Sequence, residues 1–77
     1  MREILLPELG EGTEKATVAS WYFQVGEKVQ AGDDVVELVT DKASFNVPVD
    51  FSGTIKKILV APGQDAKVGD VLAVVEP

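Results

Sequence analysis

The chain overlays on itself when shifted by 37 residues, and this repeat limits its possible folds more than any other feature. Thr17 falls on Thr54, Gly26 on Gly63, Gly32 on Gly69 and Asp33 on Asp70. The apolar positions follow: Val18 with Ile55, Trp21 with Ile58, Tyr22 with Leu59, Phe23 with Val60, Val35 with Leu72 and Leu38 with Val75. Repeats at a fixed spacing dictate architecture. Two copies are too few for a solenoid, so the expectation is two similar halves closed on each other around a pseudo-twofold axis.

Both halves read as β. Glycine, proline, asparagine or aspartate interrupts every apolar run, and nothing sustains helical spacing. Residues 3–6, 16–23, 35–40, 44–49, 54–60 and 71–75 are strand candidates, rich in Val, Ile, Leu and aromatics. Phe45, Val47, Val49 and Phe51 alternate with Ser44, Asn46, Pro48 and Asp50, the pattern of a strand with one buried face. Short pieces around Val29 and Ala66 add a paired strand to each half. Gly26, Gly32, Gly63 and Gly69 punctuate the loops where positive φ is expected. The predicted fold is all-β, a flattened barrel or sandwich of two roughly four-stranded sheets with internal pseudo-twofold symmetry.

At 77 residues the chain is one domain, 1–77, with a small core and modest stability. It has no cysteine, which removes disulfides and a cysteine-based zinc site as supports. Histidine is absent as well, and with it the commonest general base. A net charge of −6 argues against nucleic acid or an anionic membrane as partner, since both need a basic footprint. No apolar run has the length of a membrane span. The Met1–Pro7 stretch is too short and too early broken for a secretory signal. The expectation is a soluble intracellular domain.

Within this frame Lys42 is the residue of interest. It lies in Thr40-Asp41-Lys42-Ala43, between the strand-like runs Val35–Val39 and Phe45–Val49, a hairpin signal. A lysine at a hairpin tip is ordinarily a solvated surface residue, and Arg2, Lys15, Lys28, Lys56, Lys57 and Lys67 are its equals on charge alone. The symmetry separates it from them. Its equivalent position would be residue 79, past Pro77, so the axis puts Lys42 at one end and both termini at the other. The first strand starts at the terminal end, so Pro7-Glu8-Leu9-Gly10-Glu11-Gly12 should arrive beside the lysine.

An exposed lysine amine is protonated at neutral pH and is therefore a poor base. It becomes a nucleophile when an activated carboxyl group is presented to it, which describes a modification target. No nucleophile–base pair is available elsewhere, and no paired carboxylates stand out as a catalytic set. Gly10-Glu11-Gly12 is similar to a glycine-rich phosphate loop but lacks its lysine and following helix, and reads as a flexible turn. Glu8, Glu11 and Glu14 read most simply as a solvated loop, Trp21 and Phe23 as packing residues, and Pro7 and Pro48 as strand-end or edge markers.

Taken together these segments resemble the lipoyl domain of the 2-oxo acid dehydrogenase acyltransferases. The matching residues are Leu6 to Gly12, Trp21 to Gly26, Val29, Ala31-Gly32-Asp33, Val35, Glu37, and Thr40 to Ala43 in the first half. The second half matches in Val47-Pro48, Gly53-Thr54-Ile55, Pro62-Gly63, and Val68-Gly69-Asp70-Val71-Leu72. The resemblance implies lipoic acid in amide linkage on Lys42, attached by a lipoate ligase or lipoyltransferase. It implies that Asp41 and Ala43 shape the turn, and that the Glu8 to Glu14 loop, through Glu8, Leu9, Gly10, Glu11 and Gly12, serves recognition by the decarboxylating component. The domain would then be a non-catalytic swinging arm, with acyltransferase activity in another domain. Its lipoyl group would take an acyl group from a thiamine-diphosphate-dependent 2-oxo acid dehydrogenase. The acyl would pass to coenzyme A at the acyltransferase core, and dihydrolipoamide dehydrogenase would restore the disulfide. Tethering would raise its effective concentration at each site in turn. Pyruvate, 2-oxoglutarate, branched-chain and acetoin complexes all fit, and Glu76-Pro77 would begin an interdomain linker. The resemblance further implies an isolated domain that is monomeric, from bacterial cytoplasm or mitochondrial matrix.

One position departs from the family pattern: Val39 stands where an acidic residue is common, three before the lysine, which bears on ligase efficiency. Two alternatives share the fold. A biotin carrier loads a lysine normally flanked by methionines, whereas Met1 is the only methionine here. An unmodified lipoyl-like interaction module would lack the lysine or sit within long helical hairpins.

Overall fold

The alternation of apolar residues read from the sequence becomes eight short strands in the computed structural model, which describes residues 1–10 and 12–77. They are β1 (Arg2–Leu5), β2 (Lys15–Trp21), β3 (Lys28–Val29), β4 (Asp34–Val39), β5 (Ser44–Pro48), β6 (Gly53–Ile58), β7 (Asp65–Lys67) and β8 (Val71–Glu76). One sheet has the order β1-β8-β6-β3 and the other β5-β4-β2-β7, with every pairing antiparallel. No helix occurs among the described residues.

Exchanging β1 with β5, β2 with β6, β3 with β7 and β4 with β8 turns one sheet order into the other. The equivalence reaches individual residue pairs. Thr17 faces Val39 and Val18 faces Leu38 in β2–β4, as Thr54 faces Glu76 and Ile55 faces Val75 in β6–β8. Each pairing slips register at the same place, between Val18 and Ser20 and between Ile55 and Lys57. Such a slip in both copies bends each sheet alike. The Gly26 N–H donates to the Ile55 carbonyl and the Gly63 N–H to the Val18 carbonyl, both at 2.8 Å. The two glycines have φ of 95° and 89°, a conformation that side chains with a Cβ adopt at a penalty.

β2 and β6 stop at Trp21 and Ile58, short of the predicted Phe23 and Val60. One further bond continues each ladder, from the Tyr22 N–H to the Val35 carbonyl and from the Leu59 N–H to the Leu72 carbonyl. The chain must then leave its sheet, because β3 and β7 belong to the opposite one. Phe23 and Val60 pass out of the ladders but still pack on the core.

The core lies between the sheets. Val35, Val36, Leu38, Ile55, Leu72, Ala73 and Val75 are fully buried, two short runs from equivalent strands together with Ile55. Removing an aliphatic side chain of this size from water is worth about 1.5–3 kcal/mol. The Trp21 indole N–H, from the first half, donates to the Val60 carbonyl of the second at 2.9 Å. No buried polar side-chain atom among the described residues lacks a partner.

β1 and β5 correspond at a different spacing from the rest. The pairs Ile4–Ala73 and Val47–Val36 place Ile4 and Val47 in equivalent positions, 43 residues apart, while the other strands correspond at 37. The stretch from Ile4 to Thr17 is therefore six residues longer than the equivalent stretch from Val47 to Thr54.

Candidate functional site

Asp41 and Lys42 form the two-residue tip joining β4 to β5, with the Thr40 N–H donating to the Ala43 carbonyl at 2.8 Å across its base. Two-residue hairpin tips usually place one or both central residues at positive φ, which matches strand twist. Here no residue other than glycine has positive φ among those described. The Thr40 side chain supplies the closure instead. Its hydroxyl accepts from the N–H groups of Lys42 and Ala43 and donates to the Ala43 carbonyl, each at 3.2 Å. This uses its donor and both acceptor positions.

Asp41, Lys42 and Ala43 are all exposed. The salt bridges of the described residues are Lys15–Asp65 and Lys56–Glu76, and neither involves Lys42. The amine thus stands in solvent at the end of a tied turn. Such a group is open to an activated carboxyl brought by another protein, and a carboxylic cofactor in amide linkage fits it. The turn's hydrogen bonds run through Thr40 and the backbones of Lys42 and Ala43; among the described residues none uses the Asp41 carboxylate.

Beside the tip lies an open groove of about 480 Å³, walled by Gly12 to Thr17 on one side and Val39 to Lys42 on the other. The long β1–β2 loop and the lysine hairpin therefore share one end of the molecule, as the symmetry argument requires. Of the residues named for recognition, Gly12 lines the groove. Glu8 and Gly10 are exposed, Leu9 is half-buried against the core, and Glu11 lies outside the described residues. Val39 forms part of the groove wall and pairs with Thr17 and Ser44.

The sequence reading quoted Thr40 only as part of a motif and missed its function in the turn. The signal was present: a threonine just before a polar two-residue tip offers its hydroxyl to the amides that follow. Thr13 and Glu14, lining the same groove, fall within the Glu8 to Glu14 loop expected beside the lysine, although neither was named individually for recognition.

A twofold barrel with a lysine held out on a hairpin tip is the architecture of a domain that carries a covalent cofactor. Residues 2–75 match the biotin/lipoyl attachment family, described as "biotin-requiring enzyme". The chain belongs to that family as a lipoyl domain of the kind found in acyltransferase components of 2-oxo acid dehydrogenase complexes, a carrier that is non-catalytic by itself. It is 39% identical over 75 residues to the dihydrolipoyllysine-residue succinyltransferase component of the 2-oxoglutarate dehydrogenase complex of Staphylococcus saprophyticus. That match covers 97% of this chain and 18% of the relative. It is 33% identical over 76 residues to the lipoamide acyltransferase component of the branched-chain alpha-keto acid dehydrogenase complex of Bacillus subtilis, covering 99% and 18%. The chain thus spans less than a fifth of the length of these curated relatives. Among solved structures, the lipoyl domain of the 2-oxoglutarate dehydrogenase complex of Azotobacter vinelandii superposes with a TM-score of 0.79 at 28% identity, covering 97% and 95% of the two chains. The urea carboxylase of Kluyveromyces lactis matches with a TM-score of 0.78 at 30% identity, covering 96% of this chain and 6% of that one.

Proposed function

We propose that this domain carries lipoate in amide linkage on Lys42 and shuttles acyl groups within a 2-oxo acid dehydrogenase complex. The observation that carries this reading is the exposed Lys42 amine, at the tip of a hydrogen-bonded hairpin. Attachment forms the Nζ–C(O) bond as the amine loses a proton and displaces the activating group of the carboxyl, deleting one positive charge. The dithiolane supplies the redox and acyl-accepting chemistry when bound. The chain's own share is positional: the tip is tied by hydrogen bonds, and the amine stands in solvent at the end away from the termini. The partners proposed from the family resemblance are a lipoate ligase or lipoyltransferase, the thiamine-diphosphate-dependent dehydrogenase, the acyltransferase core and dihydrolipoamide dehydrogenase. The groove walled by Gly12 to Thr17 is the proposed contact surface for the modifying or decarboxylating enzyme.

The test is intact mass with peptide mapping after incubation with lipoate, ATP and a lipoate ligase. A lipoyl increment on Lys42 is expected, and Lys42→Gln should fold normally yet take up none. Reductive acylation preserved in that variant would sink the carrier reading. Biotin is the second reading, favoured by the description of the matching family as "biotin-requiring enzyme". Against it, Lys42 is flanked by Asp41 and Ala43 and not by methionines. A biotinyl increment under biotin ligase, without a lipoyl one, would decide for it.

A further inference from the structure

We infer that Thr40 is the positioning residue for modification of Lys42, acting through its hydroxyl and independently of the stability of the barrel; this rests on the lipoyl-carrier reading above. Four hydrogen bonds close the tip, and three of them pass through one oxygen. That oxygen accepts from the Lys42 and Ala43 amides and donates to the Ala43 carbonyl. The fourth is the backbone bond from the Thr40 N–H to that same carbonyl.

The geometry explains why the side chain is needed. The tip residues Asp41 and Lys42 both have negative φ, so the turn lacks the conformation that by itself suits two-residue hairpins. In a simple four-residue turn the amide of the last residue donates to the carbonyl of the first. In this hairpin the Ala43 amide goes to the Thr40 hydroxyl. The side chain stands in for a backbone acceptor and also fixes the amide of the lysine itself.

Lys42 has four methylenes between its backbone and its amine, so small changes at its Cα move the amine far. A modifying enzyme has to receive that amine at one place. Where only a fraction of turn conformers is competent, apparent affinity falls by that fraction. Loss of the hydroxyl should therefore appear in KM for the protein substrate and leave kcat unaltered. The remaining groove residues near the tip, Val39 and Thr17, hold the strands; they do not bond the turn. Among the described residues the hydroxyl bonds only to Lys42 and Ala43, and Thr40 lies beyond the end of β4.

The test compares the wild-type domain with Thr40→Val, which keeps the branched shape without the hydroxyl, and with Thr40→Ser, which keeps the hydroxyl. Each is lipoylated by a lipoate ligase with lipoate and ATP, while amide hydrogen exchange is followed residue by residue. Thr40→Val should raise KM about fivefold, the change expected when hydrogen bonds of this strength close a turn. Its kcat should hold, and exchange should quicken at Lys42 and Ala43 alone. Thr40→Ser should return KM to within about twofold of wild type, as the same three bonds can form. Acylation of Lys42 by a small N-hydroxysuccinimide ester should be the same in all three, because exposure of the amine is unchanged. Equal KM values for wild type and Thr40→Val, or a serine variant as impaired as the valine one, would overturn the inference. If the valine variant fails to fold, Thr40→Ala against Thr40→Ser makes the same comparison. A wild-type domain that takes no lipoate would instead break the carrier reading, and the exchange rates would still report on the turn.

Discussion

The two ends of this barrel are related by its pseudo-twofold axis, yet they are built for different purposes. At the terminal end the loop after β5 is short. Phe51 packs against the core with the Arg2 guanidinium 4.4 Å from its ring centre, and Glu76 pairs with Lys56. At the opposite end the equivalent loop is five residues longer, and a continuous hairpin replaces the chain termini. There the exposed groups are a tied lysine and an open groove. The symmetric part of the molecule accounts for its folding, and the departures from symmetry coincide with the candidate site. Duplication supplies a stable frame cheaply in sequence terms; the insertion and the hairpin tip are what give one end a task.

If that division is right, core damage should be equally severe in both halves and tip damage should leave stability untouched. Leu38 and Leu72 are each fully buried, one in each half. Truncating either to alanine should cost roughly 2–5 kcal/mol, a large fraction of the stability of so small a domain. Urea unfolding followed by the fluorescence of buried Trp21 measures this directly. Lys42→Gln should stay within about 0.5 kcal/mol of wild type in the same assay. A mild effect in one half only would mean that the halves share a pattern without sharing the load.

A smaller effect sharpens the comparison at a single pair of equivalent sites. Gly53 faces Val29 in β3–β6 as Ala16 faces Ala66 in β2–β7. A Cβ placed on Gly53 would sit 2.5 Å from the Glu76 carbonyl oxygen and 2.7 Å from a Val75 methyl. The first of these is backbone and cannot turn aside. Gly53→Ala should therefore destabilise by about 1–3 kcal/mol. At the equivalent site alanine is native and buried, and Ala16→Gly should lose about 1–2 kcal/mol through backbone freedom and the loss of one buried methyl. Calorimetric midpoints of the two variants would rank them. A Gly53→Ala variant as stable as wild type would show that β6 and β8 can part at the terminal end to admit the methyl.

The symmetric frame was legible in the sequence because its signals are side-chain identities at fixed spacing. Gly26 and Gly63, or Val18 and Ile55, declare themselves as pairs, and the alternation from Phe45 to Phe51 names its buried face. The correspondence of β1 with β5 was hidden. Its spacing is 43 and not 37, and outward residues such as Glu3 and Asn46 share little, which leaves Ile4 with Val47 and Leu6 with Val49 as the trace. The ends of β2 and β6 were misjudged for another reason. Tyr22, Phe23, Leu59 and Val60 have strand-like side chains, but the chain must cross to the other sheet there, a tertiary demand that overrides local preference. At the site, the position of Lys42 and the approach of the first loop followed from topology alone. The role of Thr40 did not, since three bonds to one hydroxyl depend on backbone angles that residue type does not specify.

The smallest predicted effect concerns what holds the terminal end in place of the long loop. Arg2 occupies the site that Phe45 holds near the lysine: Arg2 pairs with Val75 as Phe45 pairs with Leu38. A cation thus replaces an aromatic ring and covers Phe51 from above. Such a contact at an exposed site is worth about 0.5–1 kcal/mol. Arg2→Gln should lower the thermal midpoint by about 2–8 °C, by the scaling for a domain of this size. Arg2→Phe tests the equivalence itself, since it installs the residue type used at the other end. If the phenylalanine variant matches wild type while the glutamine variant falls, the terminal end needs a cover over Phe51 and the charge is incidental. If both fall, the guanidinium is required and the two ends differ in their physics as well as in their loops. If neither falls, Phe51 is held by its own packing, and loop length alone separates the end that is built to carry from the end that is built to close.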